Sequence, residues 1–177
     1  MLLFTLSISA MAQQVPTVEW DKYSLIIDGR RVVPVMGEVH YSRIPAEEWE
    51  NEVKKMREGG VTILACYIFW NHIEETEGVF RWDGQRNLRR FLEVCRDADM
   101  PVILRVGPFC HGEVRNGGIP DWIFTKGCKT RREDPLFLHY TTILYRQIFT
   151  QAQGLQWKDG GPVIAMQFDN EHRGHGS

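Results

Sequence analysis

The chain has 177 residues, 43% hydrophobic and 25% charged, which is typical of a soluble globular protein with a substantial core. Its net charge of −2 comes from basic and acidic residues interspersed along the chain, so the basic stripe that nucleic-acid binding usually needs is missing. No apolar stretch is long enough to cross a bilayer. These properties predict no nucleic-acid partner and no membrane span.

Residues 1–12 differ in kind from the rest of the chain. They form an apolar stretch that ends in the tripeptide AMA, a small-x-small pattern suited to signal-peptidase cleavage before Gln13. The usual basic start of a signal peptide is missing, because the first Lys or Arg is Lys22, and a buried N-terminal strand is the alternative interpretation. We predict a signal peptide over residues 1–12, and hence a secreted or periplasmic protein.

The next segment has the pattern of a hairpin. Apolar residues alternate from Val18 to Asp28, which predicts a strand, and the dipeptide Asp28-Gly29 favours a tight turn after it. We therefore expect residues 13–31 to form an N-terminal extension that contains a hairpin.

From residue 32 onward, four apolar runs alternate with three helical patterns. The runs cover residues 32–39, 61–70, 100–107 and 163–166. They show little polar alternation, which predicts strands buried on both faces in a parallel sheet with helical crossovers. Pro45 opens the first helix and Gly59-Gly60 closes it, while Asp134-Pro135 caps the third. The predicted buried stripes are Trp49, Val53 and Met56; Leu88, Phe91, Leu92 and Cys95; and Tyr140, Ile143, Leu144 and Ile148.

Two architectures fit this order, a doubly wound open sheet and a barrel of eight β/α units. No Gly-rich phosphate loop follows the first strand, which disfavours a nucleotide-binding open sheet. Polar residues follow every strand at its carboxyl end, where β/α barrels build their active sites. A complete barrel takes about 250 residues. We therefore predict an α/β fold over residues 32–177, a (β/α)8 TIM barrel truncated to roughly its first four β/α units. The polar residues are Glu38 and His40; Trp70, Asn71, His72 and Glu74; Arg105, His111 and Glu113; and Asn170 and Glu171.

The last strand ends in an acid, an amide and a second acid. Glu171 is the leading catalytic candidate, because a carboxyl group in a partly dry pocket at a strand end can act as a general acid near neutral pH. Asn170 beside it can hydrogen-bond a substrate hydroxyl. The alternative is that Asp169 or Asn170 only caps a following helix, with Glu171 in its first turn.

Glu113 lies in a long Gly- and Pro-rich loop, a setting that favours function when the loop sits on a rigid scaffold. Its alternative role is an ion pair with Arg105 or Arg115. Aromatic residues are dense in the same regions and could stack on sugar rings, although each one alone is more typical of a core. These aromatics are Tyr67, Phe69, Trp70, Phe109 and Trp122.

The cysteines and histidines give little support to a metal site. The four cysteines lack C-x-x-C spacing, and free buried thiols are favoured over a disulfide framework. Several histidines and Glu113 could converge at a barrel mouth, but the first strand offers Glu38 and His40 rather than two alternating histidines. We expect no metal and no cofactor. The candidate metal ligands would be His40, His111, Glu113, His172 and His175.

Taken together, five segments resemble glycoside hydrolase family 35, the retaining β-galactosidases. In family order they are GEVHYSRIP, CYIFWNHIE, LRVGPFCHGEVRNGGIPDW, REDP and GGPVIAMQFDNE, and they span about residues 32–171. The resemblance implies a β/α barrel whose acid/base glutamate ends the fourth strand in an Asn-Glu pair. It therefore implies that Glu171 is the acid/base and that Asn170 holds the 2-hydroxyl of the sugar.

The resemblance also implies the terminal-sugar subsite. Tyr67 would contact sugar hydroxyls, and His111, Gly112 and Glu113 would line the subsite. The family loop reads Cys-Ala-Glu-Trp, whereas this chain has His111-Gly112-Glu113-Val114. Galactose is the first expectation for the terminal sugar, and a different terminal sugar is the alternative.

A retaining mechanism needs a second carboxylate about 5–5.5 Å from the first. The family supplies this nucleophile from strand seven, which has no counterpart in the chain. Glu113 and Asp169 match family positions with other duties, so neither is assigned the role. We therefore expect the chain to be part of a secreted β-galactosidase and to be inactive in isolation. The alternative is a non-catalytic sugar-binding half barrel.

Overall fold

A computed structural model describes residues 15–172. The predicted signal peptide and His175 lie outside the described residues. A three-stranded antiparallel sheet precedes a four-stranded parallel sheet. The strands are β1 (Val18–Trp20), β2 (Leu25–Ile27), β3 (Arg30–Val32), β4 (Met36–Val39), β5 (Ile63–Tyr67), β6 (Val102–Arg105) and β7 (Val163–Gln167). The helices are α1 (Trp49–Glu58), α2 (Trp70–Ile73), α3 (Leu88–Asp97), α4 (Asp121–Phe124) and α5 (Pro135–Ala152).

The antiparallel sheet corrects one prediction and confirms another. The single strand predicted up to Asp28 is two strands, because the Asp21 carboxylate accepts the backbone N–H groups of Tyr23 and Ser24 at 2.9 and 3.0 Å and turns the chain. The hairpin at Asp28-Gly29 is confirmed. Both residues have positive φ, 48° and 75°, as a two-residue hairpin turn requires.

The parallel sheet has the predicted order, with β4, β5, β6 and β7 side by side. Helices α1, α3 and α5 form the crossovers, as predicted, and the four-residue helices α2 and α4 were not predicted. β4 begins at Met36 rather than at Val32, which pairs within β3, because Pro34 between them has no backbone N–H to donate. α1 begins at Trp49 rather than at Pro45, after a short 3-10 turn.

The helix ends follow ordinary capping chemistry. The Asp134 carboxylate accepts the N–H groups of Leu136 and Phe137 at 3.0 and 3.2 Å, and Pro135 occupies the first helical position, which confirms the predicted cap of α5. Gly59 ends α1 as predicted. These caps fix where each crossover helix starts and stops.

The core lies between the helices and one face of the parallel sheet, the helix-covered face. Val39, Cys66 and Leu104 lie in register on this face and are buried. The predicted stripe of α3 is fully buried beneath them. The opposite, open face is only partly covered, since Met36 is 56% exposed and Ala165 is exposed. Burial on both faces is therefore confirmed for β5 alone.

The four cysteines are free thiols. Cys110 is buried and donates its S–H to the Ile68 carbonyl at 3.3 Å, and burial raises the pKa of the Cys110 thiol to about 12. Within residues 15–172, no helix combines the length and the apolar character that crossing a membrane requires.

Candidate active site

Polar side chains converge on the open face at the carboxyl ends of the parallel strands. Tyr67, Arg105 and Gln167 lie in register as the last residues of β5, β6 and β7. The Arg105 guanidinium lies 3.7 Å from the centre of the Tyr67 ring, and its Nε donates to Gln167 Oε1 at 3.1 Å. Three neighbouring strands therefore present one connected polar cluster, where a β/α fold places its site.

Asn170 completes this cluster from the loop after β7. Its side-chain oxygen Oδ1 accepts three hydrogen bonds, from Tyr67 Oη at 3.1 Å, Arg105 Nη2 at 2.6 Å and Gln167 Nε2 at 3.2 Å. Asn170 is only 5% exposed, so these bonds offset the cost of burying the amide. Burial raises the pKa of Tyr67 by more than the charge of Arg105 lowers it. The phenol therefore stays protonated and able to donate.

The chain turns sharply around Asn170. Asp169 and Glu171 both have positive φ, 55° and 47°, and Asp169 pairs with Arg131 at 3.2 Å. Arg131 also donates to the Asn170 carbonyl at 2.6 Å and lies 3.9 Å from the centre of the Phe109 ring. Residues 168–172 form no helix, so the helix-cap alternative for Asp169 and Asn170 has no support in the described chain.

Glu171 directly follows Asn170 and is exposed in the part of the chain that the structure describes. The left-handed backbone at Asp169 and Glu171 holds Asn170 inward, and the same turn fixes the position from which the Glu171 carboxylate extends. Positive φ is less common for Glu than for Asp, and strained backbone of this kind is often found at functional sites.

The end of β4 adds a carboxylate and an imidazole to the cluster. Glu38 pairs with Arg105, and its other oxygen lies 3.5 Å from His40 Nε2. The His40 ring stacks against Tyr67 with 5.4 Å between ring centroids. Burial lowers the pKa of His40, more than the neighbouring Glu38 raises it, so the imidazole is held neutral near pH 7.

The predicted sugar-binding loop has an unusual backbone. His111, Gly112 and Glu113 have φ of 63°, 56° and 49°, three left-handed residues in a row. Gly112 is buried against Phe69, whereas His111 and Glu113 are exposed. The arrangement brings the Gly112 backbone close to the aromatic rings beside the cluster and leaves the two flanking side chains free to meet a ligand.

The ion-pair alternative for Glu113 is wrong. Arg105 pairs with Glu38, and Arg115 pairs with Asp121 at 2.9 Å. Glu113 is held instead through its backbone carbonyl, which accepts a hydrogen bond from Arg43 at 3.1 Å.

Two polar residues that follow β5, Glu74 and His72, have structural roles. Glu74 is 3% exposed and accepts hydrogen bonds from Trp70 Nε1 at 2.6 Å and from the Gly78 N–H at 2.8 Å. Burial raises its pKa despite these donors. His72 Nδ1 lies 2.8 Å from Ser42 Oγ. These residues tie loops together rather than joining the cluster around Asn170.

Gln167 and Arg131 were not predicted as site residues. Gln167 could have been found as the one polar residue at the end of an apolar strand, in line with Tyr67 and Arg105. Arg131 is separated from Asp169 by 38 positions, and nothing local in the sequence connects them.

The described part of the chain holds no group of three His, Cys, Asp or Glu side chains able to bind a metal ion.

A cleft of about 670 Å³ opens beside the cluster, with Ser42, His72 and Arg115 in its walls. Its walls do not include Tyr67, Asn170 or Glu171. The Phe69 ring packs against both the Tyr67 ring and the ring of His72 in the cleft wall.

The fold resembles two solved glycosidase structures. An exo-β-1,4-mannosidase from Opitutaceae bacterium strain TAV5 matches 81% of this chain and 25% of its own, with a TM-score of 0.58 and 18% identity. A GH5_18 protein from Streptomyces cattleya, crystallised with GlcNAc, matches 78% of this chain and 34% of its own, with a TM-score of 0.62 and 13% identity. At these identities the likeness shows the fold, the α/β parallel sheet of TIM-barrel glycosidases.

Sequence relatives are more specific. A family model for glycosyl hydrolases family 35 matches residues 24–176, and the chain belongs to this family. Beta-galactosidase 12 of Oryza sativa subsp. japonica is 35% identical over 158 residues, 88% of this chain and 17% of that protein. A beta-galactosidase of Xanthomonas manihotis is 32% identical over 165 residues, 93% of this chain and 28% of that protein. The chain thus spans less than a third of the length of these relatives.

Proposed function

We propose that the chain supplies the acid/base half of the active site of a retaining β-galactosidase. The observation that carries the proposal is the fixed Asn170 at the end of β7, held by Tyr67, Arg105 and Gln167 directly before Glu171. Family membership and relatives named beta-galactosidases support galactose as the terminal sugar.

In this proposal each site residue has one task. Glu171 protonates the glycosidic oxygen as the bond breaks, then takes a proton from the water that releases the sugar. Asn170 binds the 2-hydroxyl, a contact that strengthens in the transition state. Tyr67 contacts a further hydroxyl, and His111, Gly112 and Glu113 line the subsite for the terminal sugar.

We further propose that β4 to β7 are the first half of a closed (β/α)8 barrel. The open face, with Met36 and Ala165 exposed, would then be part of the barrel interior, and Glu171 would be enclosed by walls outside the described residues. Glu38 and Asp169 already pair with Arg105 and Arg131, and Glu113 is assigned to the sugar subsite, so we place the nucleophilic carboxylate in a part of the protein that this chain does not include. The AMA pattern at the end of residues 1–12 supports a secreted or periplasmic protein.

The test is hydrolysis of matched nitrophenyl β-galactoside, β-glucoside and β-mannoside by the full-length protein that carries the chain, with proton NMR of the first sugar anomer. We expect the galactoside to be cleaved fastest and the β-anomer to appear first, while the 177-residue chain alone gives no turnover. A faster glucoside or mannoside would contradict galactose, and an α-anomer would contradict retention. Sugar binding without turnover by the full-length protein would instead identify a non-catalytic sugar-binding protein.

A further inference from the structure

Arg105 is the most heavily connected side chain of the polar cluster. Its Nε donates to Gln167 Oε1 at 3.1 Å, its Nη2 donates to Asn170 Oδ1 at 2.6 Å, and its Nη1 pairs with Glu38. The guanidinium plane covers the Tyr67 ring, and the side chain is only 18% exposed. All three guanidinium nitrogens are therefore committed to groups on β4, on β7 and on the loop after β7.

An arginine side chain can only donate hydrogen bonds, so every atom that it meets must accept. This fixes the orientation of both amides: Asn170 turns its oxygen toward Nη2, and Gln167 turns its oxygen toward Nε. The nitrogen of Gln167 then points at the same Asn170 oxygen, 3.2 Å away, and donates to it. The Tyr67 hydroxyl meets that oxygen too, and must also donate.

We propose that Arg105 is a positioning residue that sets the hydrogen-bonding polarity of the sugar site, making Asn170 a donor and Tyr67 an acceptor toward the substrate. The Asn170 oxygen is saturated by three donors, and its Nδ2 has no acceptor among residues 15–172. The Tyr67 hydrogen is used on the same oxygen, which leaves the phenol lone pairs for a sugar hydroxyl. This inference rests on the proposed function, in which Asn170 binds the 2-hydroxyl.

A purely structural role for Arg105 makes a different prediction. Its ion pair with Glu38 links β6 to β4, and losing that link would lower activity on every substrate by the same factor. Loss of amide orientation instead weakens one contact, the one to the 2-hydroxyl. The readout is therefore the ratio of kcat/KM for a nitrophenyl β-galactoside to that for its 2-deoxy analogue, measured in the full-length protein.

The variants are Arg105→Met, Arg105→Lys and the control Arg131→Met. Arg131 is similarly shielded, 25% exposed against the Phe109 ring, and donates to the Asn170 carbonyl, but it does not touch Oδ1. We expect Arg105→Met to lower the ratio about two- to tenfold, the value of one hydrogen bond between neutral groups. Arg105→Lys should restore part of it, since an ammonium cannot bridge both amides in the planar fork geometry. Arg131→Met should lower both rates alike.

An unchanged ratio in Arg105→Met, with both rates reduced, would overturn the inference and leave a structural role. A ratio that is the same in the wild type and in Asn170→Ala would overturn it as well, because Asn170 would then make no 2-hydroxyl contact to orient. If Arg105→Met does not fold, Gln167→Glu gives the same test: it keeps the acceptor for Nε but replaces the donor to Asn170, so the ratio must fall. Wild-type protein that cleaves no β-glycoside contradicts the proposed function itself, an outcome distinct from an active enzyme whose ratio is unchanged.

Discussion

Gly112 is held so close to Phe69 that no side chain fits between them. A Cβ atom at this position would lie 2.8 and 2.9 Å from two atoms of the Phe69 ring and 3.5 Å from the Tyr67 ring. The φ of 56° adds a second requirement for glycine, since a Cβ strains a left-handed backbone. The loop thus depends on one glycine for both its shape and its contact with the aromatic rings.

We predict that Gly112→Ala lowers the free energy of unfolding by more than Gly127→Ala. Gly127 has a φ of 73° but nothing within 4 Å of its Cβ position, so it carries the backbone strain alone, roughly 1–2 kcal/mol. Gly112→Ala adds overpacking against Phe69, about 1–3 kcal/mol more. Urea denaturation of the two variants measures the difference in their free energies of unfolding. Equal losses of stability would show that the Phe69 ring moves aside at no cost.

The partly buried His72 predicts how the free energy of unfolding depends on pH. Burial lowers its pKa below the usual 6.5, so the unfolded chain takes up a proton near pH 6.5 that folded His72 does not. Stability from this group is therefore complete above pH 6.5 and is lost as the pH falls toward the folded pKa. His72→Gln should flatten the fall in unfolding free energy between pH 7.5 and about 5. His139→Gln, at an exposed position of α5, is the control, and equal slopes in the wild type and His72→Gln would contradict the account.

The sequence predicts the identities of the candidate residues better than their partners. Asn170 and Tyr67, both predicted to bind sugar, lie in hydrogen-bond contact. The bond between Arg105 and Gln167 joins residues 62 positions apart and was not predicted, because only the strand register brings them together. A single sequence contains the residue types, but register is a property of the paired strands.

At the level of elements, the start of α5 rests on one side chain. We predict that Asp134→Ala lowers the free energy of unfolding by about 1 kcal/mol, up to about 2, because it leaves the N–H groups of Leu136 and Phe137 without their acceptor. Glu133→Ala removes the neighbouring exposed carboxylate and serves as the control for charge. Thermal or urea unfolding measures both, and an equal effect of the two variants would show that the cap contributes nothing.

The elements that the sequence predicts well are those with long apolar patterns and ordinary caps. Helix α5 begins at its predicted Asp-Pro pair, and α3 buries its predicted stripe. The errors fall where a polar side chain or a proline overrides the apolar pattern. Asp21 breaks one predicted strand into two, and Pro34 delays the start of β4. The side chain of Asp21 and the missing N–H of Pro34 both act locally. Where each strand begins or ends, however, depends on which backbone groups find hydrogen-bond partners.

In the molecule as a whole, a side-chain hydrogen bond links the two sheets. Trp157 Nε1, just before β7, donates to Asp28 Oδ1 in the hairpin turn at 3.2 Å. The helix-covered face of the parallel sheet carries the core, and the open face carries the polar cluster at its carboxyl edge. The order of strands and helices was predictable, because continuous apolar runs separated by helices allow little besides a parallel sheet. Closure into a barrel depends on surfaces outside the described residues and stays a proposal.

Glu171 is proposed to be the acid/base, and the dependence of the rate on the leaving group distinguishes this role from sugar binding. In the full-length protein, Glu171→Gln should lose about 10²–10⁴-fold on a β-galactoside with an alcohol leaving group, which needs a proton. It should lose far less on a dinitrophenyl β-galactoside, whose leaving group departs without one. Glu113→Gln is the matched control and should affect both substrates alike, through sugar binding. Equal losses of Glu171→Gln on the two substrates, or unchanged activity on both, would contradict the account.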